Sequence, residues 1–176
     1  MNNLFIVFML LNSLLYAEDL YNATHTRCTS RNEIIKIIKN GNIKKLENKI
    51  ELSCDLYKKN SNGETLIFDA VKMNNENAIN LLLSEGFSLY DTNNQGQTLL
   101  HVAAKNNFYN IINILMRYGL KDSKDDFGYF AKWYAYHQNS IESLSAIYKN
   151  EEKMSKRKDD LDEFIKNFKK KPIDEM

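Results

Sequence analysis

The 176-residue sequence has little proline, glycine or cysteine, with one, six and two of these residues. So few turn-forming residues argue against a β-sandwich of many short strands and favour a chain that is mostly helical. The net charge is only +1, from 24 basic and 23 acidic residues, so we expect no nucleic-acid partner. With 43% hydrophobic residues, the chain can bury the core of one compact domain.

Motifs for the common kinds of catalysis are also missing. The sequence contains no Gly-x-Ser-x-Gly, no phosphate-binding glycine loop and no His-Glu-x-x-His. Its three histidines, His25, His101 and His137, lack the close spacing of metal ligands. We therefore predict no catalytic residue, no cofactor and no metal, and we expect the protein not to be an enzyme.

The first 17 residues form an uncharged, apolar segment that ends at Glu18 and Asp19. Its apolar core of roughly 8 to 12 residues is short for a bilayer span, and Ala17 supplies the small residue before a cleavage site. We predict a signal peptide over residues 1–17, followed by an N-terminal segment over residues 18–30. The mature protein is then periplasmic or secreted, without stable membrane insertion. An uncleaved anchor and a cytoplasmic protein are the alternatives.

A period of 33 residues organises the middle of the chain. The pairs in one register are Gly63/Gly96, Thr65/Thr98, Leu66/Leu99, Ala70/Ala103, Asn74/Asn107, Leu82/Leu115 and Gly86/Gly119. We predict repeats at about 31–62, 63–95, 96–127 and 128–150, the last with one residue lost in its loop. A unit of this size cannot bury both of its faces alone, so the units are expected to stack into a solenoid.

Each unit shows two short helical patterns separated by a polar break. In the third unit, residues 111–115 place an apolar stripe on the second helix, and Gly119 takes a left-handed position just beyond it. Ser30 and Glu33 are spaced as a Ser-x-x-Glu capping box at the start of the first helix. These signals predict paired helices in every unit.

Residues 151–176 are predicted to form a charged linker and a C-terminal helix. The apolar stripe of that helix comprises Leu161, Phe164, Ile165 and Phe168. We predict that the stripe caps the fourth unit and that residues 153–158 are a solvated linker. An amphipathic segment that binds a membrane or a partner helix is the alternative.

The two cysteines, Cys28 and Cys54, form an even pair, which in an exported chain indicates one disulfide. Cys28 precedes the first predicted helix and Cys54 follows the second, and antiparallel helices bring these two ends together. Closing a loop of about 25 residues would stabilise the N-terminal end of the stack by roughly 3 kcal/mol. Free thiols are the alternative.

At residues 63–70 and 96–104 the chain resembles the ankyrin repeat signature, Gly-x-Thr-Pro-Leu-His-x-Ala-Ala. It departs from the signature in lacking the proline, in having Phe68 at the position of His101, and in having Lys132 where a buried leucine is expected. The resemblance implies an all-α, ankyrin-type solenoid of about four helix-turn-helix repeats with projecting loops and a C-terminal capping helix. At the signature position, His101 is expected to bond loop backbone and to hold successive hairpins in line.

The resemblance also implies that the protein binds other proteins through its loop tips and the concave face of the first helices. Carried over position by position, the predicted binding residues are Glu64, Asp69, Lys72 and Met73 in the second unit, Gln95, Gln97, Val102, Lys105 and Asn106 in the third, and Tyr129, Tyr134, His137 and Gln138 in the fourth. Among the aromatic residues of the fourth unit, Phe130 and Trp133 are interpreted as core, and Tyr129 and Tyr134 as interface anchors.

These patterns together predict a monomeric, non-enzymatic interaction module of the bacterial periplasm. Its expected partner is another exported protein, which it would scaffold, protect or inhibit. One alternative is a secreted effector that binds a host protein. Another is an enzyme with its site in the aromatic-rich fourth unit.

Overall fold

A computed structural model describes residues 29–53 and 56–168, with side chains as far as residue 159. These residues form eight helices and no β-strand. The helices are α1 (Arg31–Lys39), α2 (Ile43–Ile50), α3 (Leu66–Lys72), α4 (Glu76–Ser84), α5 (Leu99–Lys105), α6 (Tyr109–Arg117), α7 (Ala131–His137) and α8 (Ile141–Phe168). Consecutive helices contact each other as four pairs, so the predicted all-α solenoid of four helix-turn-helix units is confirmed.

The units stack in two rows. The first helices α1, α3, α5 and α7 each contact the next, while in the second row α2 contacts α4 and α6 contacts α8. Leu82 and Leu115 occupy equivalent places on α4 and α6, and both are fully buried. A single core extends from Ile34 in the first unit to Ile147 in the fourth. Each unit therefore buries an apolar face that its neighbour would otherwise leave exposed.

The turn between the two helices of each unit places one residue in the left-handed region. Gly41 has φ +68°, and Asn74, Asn107 and Asn139 have φ values of +52°, +56° and +53°. Asparagine is among the few residues with a side chain that adopt this conformation readily. The recurrence of asparagine with the repeat period thus reflects a backbone requirement. Gly119, with φ +100°, takes the left-handed position predicted for it after α6.

Side-chain caps fix the helix starts and join neighbouring units. Ser30 accepts a hydrogen bond from the Glu33 N–H, but the Glu33 carboxylate forms an ion pair with Lys49 at 3.3 Å. The capping box is therefore formed from the Ser30 side only. Asn75 caps α4, and its Nδ2 also donates to the Ile38 carbonyl of the preceding unit at 2.7 Å. One asparagine thereby stabilises a helix start and a unit interface.

Hairpin loops precede α3, α5 and α7 and contain an Asn or Asp at the same position. The Oδ1 atoms of Asn60, Asn93 and Asp125 each accept two backbone N–H groups, at 2.9 to 3.0 Å. Backbone hydrogen bonds also join successive hairpins: the Asn94 N–H donates to the Asn62 carbonyl at 2.9 Å. The loops are consequently held in a fixed conformation along one side of the stack.

His101 holds the third unit to the fourth, as predicted from the signature. The ring is 1% exposed; its Nδ1 accepts the Thr98 N–H at 3.1 Å, and its Nε2 lies 3.0 Å from the Tyr129 carbonyl. A backbone N–H can only donate and a carbonyl can only accept, so the ring is neutral with its proton on Nε2. Phe68 occupies the same position in the second unit, fully buried, and fills the space without these polar bonds.

The C-terminal region differs from the prediction. Helix α8 is continuous over 28 residues, so the linker predicted at residues 153–158 is wrong and this segment is helical. The start of α8 is the second helix of the fourth unit and packs on α6 and α7. The predicted capping stripe, from Leu161 to Phe168, lies outside the described side chains.

The predicted signal peptide, the segment after it as far as residue 28, and both cysteines lie outside the described residues. Their described neighbours are joined, however. The Thr29 N–H donates to the Leu52 carbonyl at 3.2 Å, and the Ser53 hydroxyl donates to the Thr29 carbonyl at 3.3 Å. Residue 29 follows Cys28, and residue 53 precedes Cys54. Residues 29 and 53 therefore lie close together at the base of the first unit.

Candidate protein-binding groove

A groove of about 600 Å³ runs across the second and third units, between the first helices and the hairpin tips. We call it the concave groove. Seven of the predicted binding residues line it, namely Glu64, Lys72, Gln95, Gln97, Val102, Lys105 and Asn106. Asn62, Asn93 and Asn94 line it as well and were not among the predicted residues. Most of these side chains are amides or cations, so the groove is suited to polar recognition.

Glu64 is a structural carboxylate at one side of the concave groove. It is 4% exposed and accepts hydrogen bonds from Lys72 at 2.5 Å and from Asn60 Nδ2 at 2.9 Å. Burial alone would raise the pKa of Glu64, but these bonds and the charges of Lys72 and Arg31 outweigh it and hold the pKa below its ordinary value. Glu64 thus stays ionised and positions Lys72.

Asp69 is paired with Arg31 across the interface of the first two units. The Arg31 guanidinium lies 2.6 Å from Asp69 Oδ2 and also donates to the Lys58 carbonyl at 2.7 Å. Burial raises the pKa of Asp69 despite the bond from Arg31. Met73, at the end of the same helix, is half-buried and packs against the core. Both predicted residues therefore contribute to packing, and Asp69 presents a carboxylate that is already neutralised.

Tyr134 belongs to a hydrogen-bond network between the third and fourth units. Its hydroxyl donates to Asp125 Oδ2 at 2.6 Å and accepts from Gln97 Nε2 at 3.0 Å. Burial, together with the Asp125 carboxylate, raises the pKa of Tyr134. The pKa of Asp125 is lowered, because the bond from Tyr134 and two backbone N–H bonds outweigh the effect of burial. Gln97 and Tyr134 thus hold two units together at the side of the groove.

An aromatic stack lies on α7 and on the loop just before it. The rings of Tyr129 and Trp133 stack with centroids 4.1 Å apart, and Trp133 stacks on His137 at 3.8 Å. Trp133 was predicted to be core, but it is 36% exposed, because no further unit covers it within the described chain. Gln138, just after α7, is exposed. The four predicted residues of the fourth unit therefore lie beside the concave groove rather than in it.

The carboxylates of the loop that leads into the fourth unit have structural roles. Asp122 accepts the Ala131 N–H at 2.7 Å and the Lys132 N–H at 3.2 Å, and it thereby caps α7. Burial raises the pKa of Asp122 in spite of these two bonds. Asp125 is occupied by Tyr134 and by loop backbone. Both groups with shifted pKa values are accounted for by folding, so neither favours an enzyme in this unit.

A family model described as ankyrin repeats, in three copies, matches residues 20–126, more than half of the chain. The chain belongs to the ankyrin repeat family. A search of curated proteins gave no match. The fourth helix pair, α7 with the start of α8, lies beyond the matched residues, and the structure adds it to the ankyrin stack.

Ankyrin repeats are protein–protein interaction modules, and proteins built from them are typically not enzymes. None of the described helices is long and apolar enough to cross a membrane. Among the described residues there is also no group of three or more His, Cys, Asp or Glu side chains that would hold a metal ion. The concave groove is the candidate site of this ankyrin domain.

The sequence signals for the missed groove residues were present. Asn62 stands one period before Gln95, which was predicted, so extending that position along the repeats would have included Asn62. Asn93 stands one period after Asn60 in the hairpin loops, and its position at the groove follows from the hairpin geometry. Arg31 carries no repeat signal, and only the structure shows its bond to Asp69.

Proposed function

We propose that this ankyrin protein is exported and binds another exported protein along the concave groove, and that it thereby scaffolds, protects or inhibits that partner. The observation that carries the proposal is the groove itself. It combines several of the predicted binding residues on one exposed surface, and its buried members are held in place by internal bonds. A preorganised surface loses little conformational entropy on binding.

Export to the periplasm is the second part of the proposal. It rests on the apolar segment at residues 1–17 and on the even pair of cysteines, which suits an oxidising compartment. The hydrogen bonds of Thr29 to residues 52 and 53 support a disulfide between the adjacent cysteines. A secreted effector would share these features, so cell fractionation distinguishes a periplasmic protein from one found in the culture supernatant or in a host cell.

Site-specific photo-crosslinking in cells tests the binding surface. A photoreactive residue at position 105 faces the groove, and one at position 44, on the exposed start of α2, is the matched control. We expect position 105 to give a defined adduct with an exported protein and position 44 to give none. Equal adducts from both positions, or none from position 105, would contradict the proposed surface.

A charge reversal provides the corresponding affinity test. Lys105→Glu should weaken capture of the cross-linked partner, while Lys44→Glu should leave it unchanged. Both lysines are exposed, so neither substitution should alter the free energy of unfolding by more than about 0.5 kcal/mol. Unchanged capture by Lys105→Glu would place the contact elsewhere on the molecule.

A further inference from the structure

The four first helices end in a basic residue at the same repeat position. These residues are Lys39, Lys72, Lys105 and His137, the last residues of α1, α3, α5 and α7, and each is exposed. We call this row the basic ladder. A cation at a helix C-terminus interacts favourably with the helix dipole, and this interaction accounts for each basic residue separately. Repetition at every unit also produces a row of basic side chains along one face, in which the three lysines carry the formal charge at pH 7.

The positive charge of the basic ladder is only partly neutralised within the protein. Glu64 forms an ion pair with Lys72, and Asp69 forms one with Arg31. Lys39 and Lys105 form no ion pair within the described part of the chain. Lys72 and Lys105 both line the concave groove. The groove therefore has spare positive charge even though the whole chain is nearly neutral.

We propose, resting on the function above, that the partner presents an extended acidic segment in polyproline II conformation with a carboxylate at every third residue. Packed helices lie about 8 to 10 Å apart, which sets the spacing of the basic ladder. A polyproline II chain has three residues per turn and rises about 3.1 Å per residue, so every third side chain lies on one side at ~9 Å intervals. The two spacings match.

A ligand in β conformation fits less well. In a β-strand, side chains on one face recur every second residue at ~6.6 Å, so successive carboxylates fall between the lysines.

Amide groups complete the complementarity. A polyproline II chain has no internal hydrogen bonds, so its backbone N–H and C=O groups are available to a partner. The side-chain amides of Asn62 and Gln95 line the groove at equivalent hairpin positions. Neither amide has a hydrogen-bond partner among the described residues. Because an amide both donates and accepts, the pair suits an extended peptide backbone.

Peptide binding to the full chain tests this inference. One fluorescent 12-residue peptide carries Glu at every third position with Pro and Gln between, and a second has the same composition with Glu at alternate positions. We expect the first to bind at least about five-fold more tightly by fluorescence anisotropy, since exposed ion pairs contribute little singly but add along the row. Its affinity should fall as salt rises.

Variants connect that affinity to the basic ladder. Lys39→Gln and Lys105→Gln should each weaken the third-residue peptide by about two- to five-fold, and Lys44→Gln should not. Equal affinity for the two peptides, no effect of Lys105→Gln, or tighter binding of a single-stranded oligonucleotide of equal length would overturn the inference. If these tests fail while position 105 still cross-links an exported protein, the ladder inference is wrong and the proposed function stands.

Discussion

Removing the His101 ring should weaken the junction between the third and fourth units more than any other part of the stack. In His101→Ala the buried Thr98 N–H loses its acceptor, which costs about 1–3 kcal/mol. The Tyr129 carbonyl also loses a bond, but it keeps the one from the Asp125 N–H, so that loss is about 0.5–1.5 kcal/mol. The cavity left behind adds a further ~1–2 kcal/mol, so we expect a total loss of about 3–6 kcal/mol.

His101→Phe separates the polar contribution from the volume. Phe68 shows that a phenyl ring fits this repeat position when it is fully buried. The phenylalanine variant should therefore lose the hydrogen bonds but not the packing, and its free energy of unfolding should fall between those of the wild type and His101→Ala. The measurement is urea unfolding followed by circular dichroism at pH 7.

Hydrogen exchange should localise the effect. Because a repeat stack is stabilised by contacts between neighbours, the loss should appear as faster exchange in residues 121–137 and not in α1 or α2. His137→Ala is the matched control, since the His137 ring is exposed and stacks on Trp133, and its effect should stay within about 1 kcal/mol. Equal destabilisation by the two alanine variants, or faster exchange in the first unit, would refute the coupling role of His101.

Three further tests address the backbone, the buried acid and the cysteines. Gly96→Ala should destabilise the protein more than Gly128→Ala. Both glycines have positive φ, but a Cβ at Gly96 would lie 2.8 Å from the backbone of the next hairpin, whereas nothing lies within 4 Å of a Cβ at Gly128. Comparison of the urea unfolding midpoints of the two variants tests this. Because the folded-state pKa of Glu64 lies below its ordinary value of 4.5, its stabilisation is present above that pH and is lost as the pH falls through the lower folded value. In Glu64→Gln the free energy of unfolding should therefore fall less steeply as the pH is lowered from 6 to 3. An unchanged pH dependence would mean that other groups cause the loss of stability in acid. If Cys28 and Cys54 are bonded, a reductant should lower stability by roughly 3 kcal/mol and raise the intact mass by about 2 Da; unchanged values would mean free thiols.

The repeat fold was predictable from the sequence because each unit meets the same backbone requirements. Asn74 and Asn107 recur one period apart because both occupy left-handed turns, and Leu82 and Leu115 recur because both are buried in the core. The continuous helix α8 was not predictable in this way. Charged residues at positions 153–158 indicate solvent exposure, and an exposed helix and an exposed linker have the same composition.

The sequence predicted where the candidate site lies, but not which of its side chains are already bound within the protein. Repeat geometry located Lys72, Lys105 and Gln97 around one groove, since equivalent residues of stacked units face the same side. Whether a side chain there is free depends on contacts with residues that are not its sequence neighbours. Glu64 is occupied by Lys72 of its own unit, eight positions away, and Tyr134 by residues 9 and 37 positions away. Periodicity contains no information about these pairings.

Lys132 shows how an end unit departs from the repeat pattern for a physical reason. Its equivalents, Ile67 and Leu100, are fully buried, because another unit follows each of them. Within the described residues no helix pair follows the fourth unit, so an aliphatic side chain there would remain in water. Lys132 instead lies over the rings of Phe130 and Tyr148 and binds Glu151 of α8 at 3.1 Å.

Electrostatics at Lys132 agree with this role. Burial alone would lower its pKa, but the Glu151 carboxylate outweighs that effect and raises it, so the side chain stays charged at the end of the stack. A polar outer face is what a terminal unit of a solenoid needs for solubility. The departure from the repeat signature at this position therefore fits a unit that no further helix pair covers among the described residues, and the same reasoning explains why Trp133, one residue later, is partly exposed.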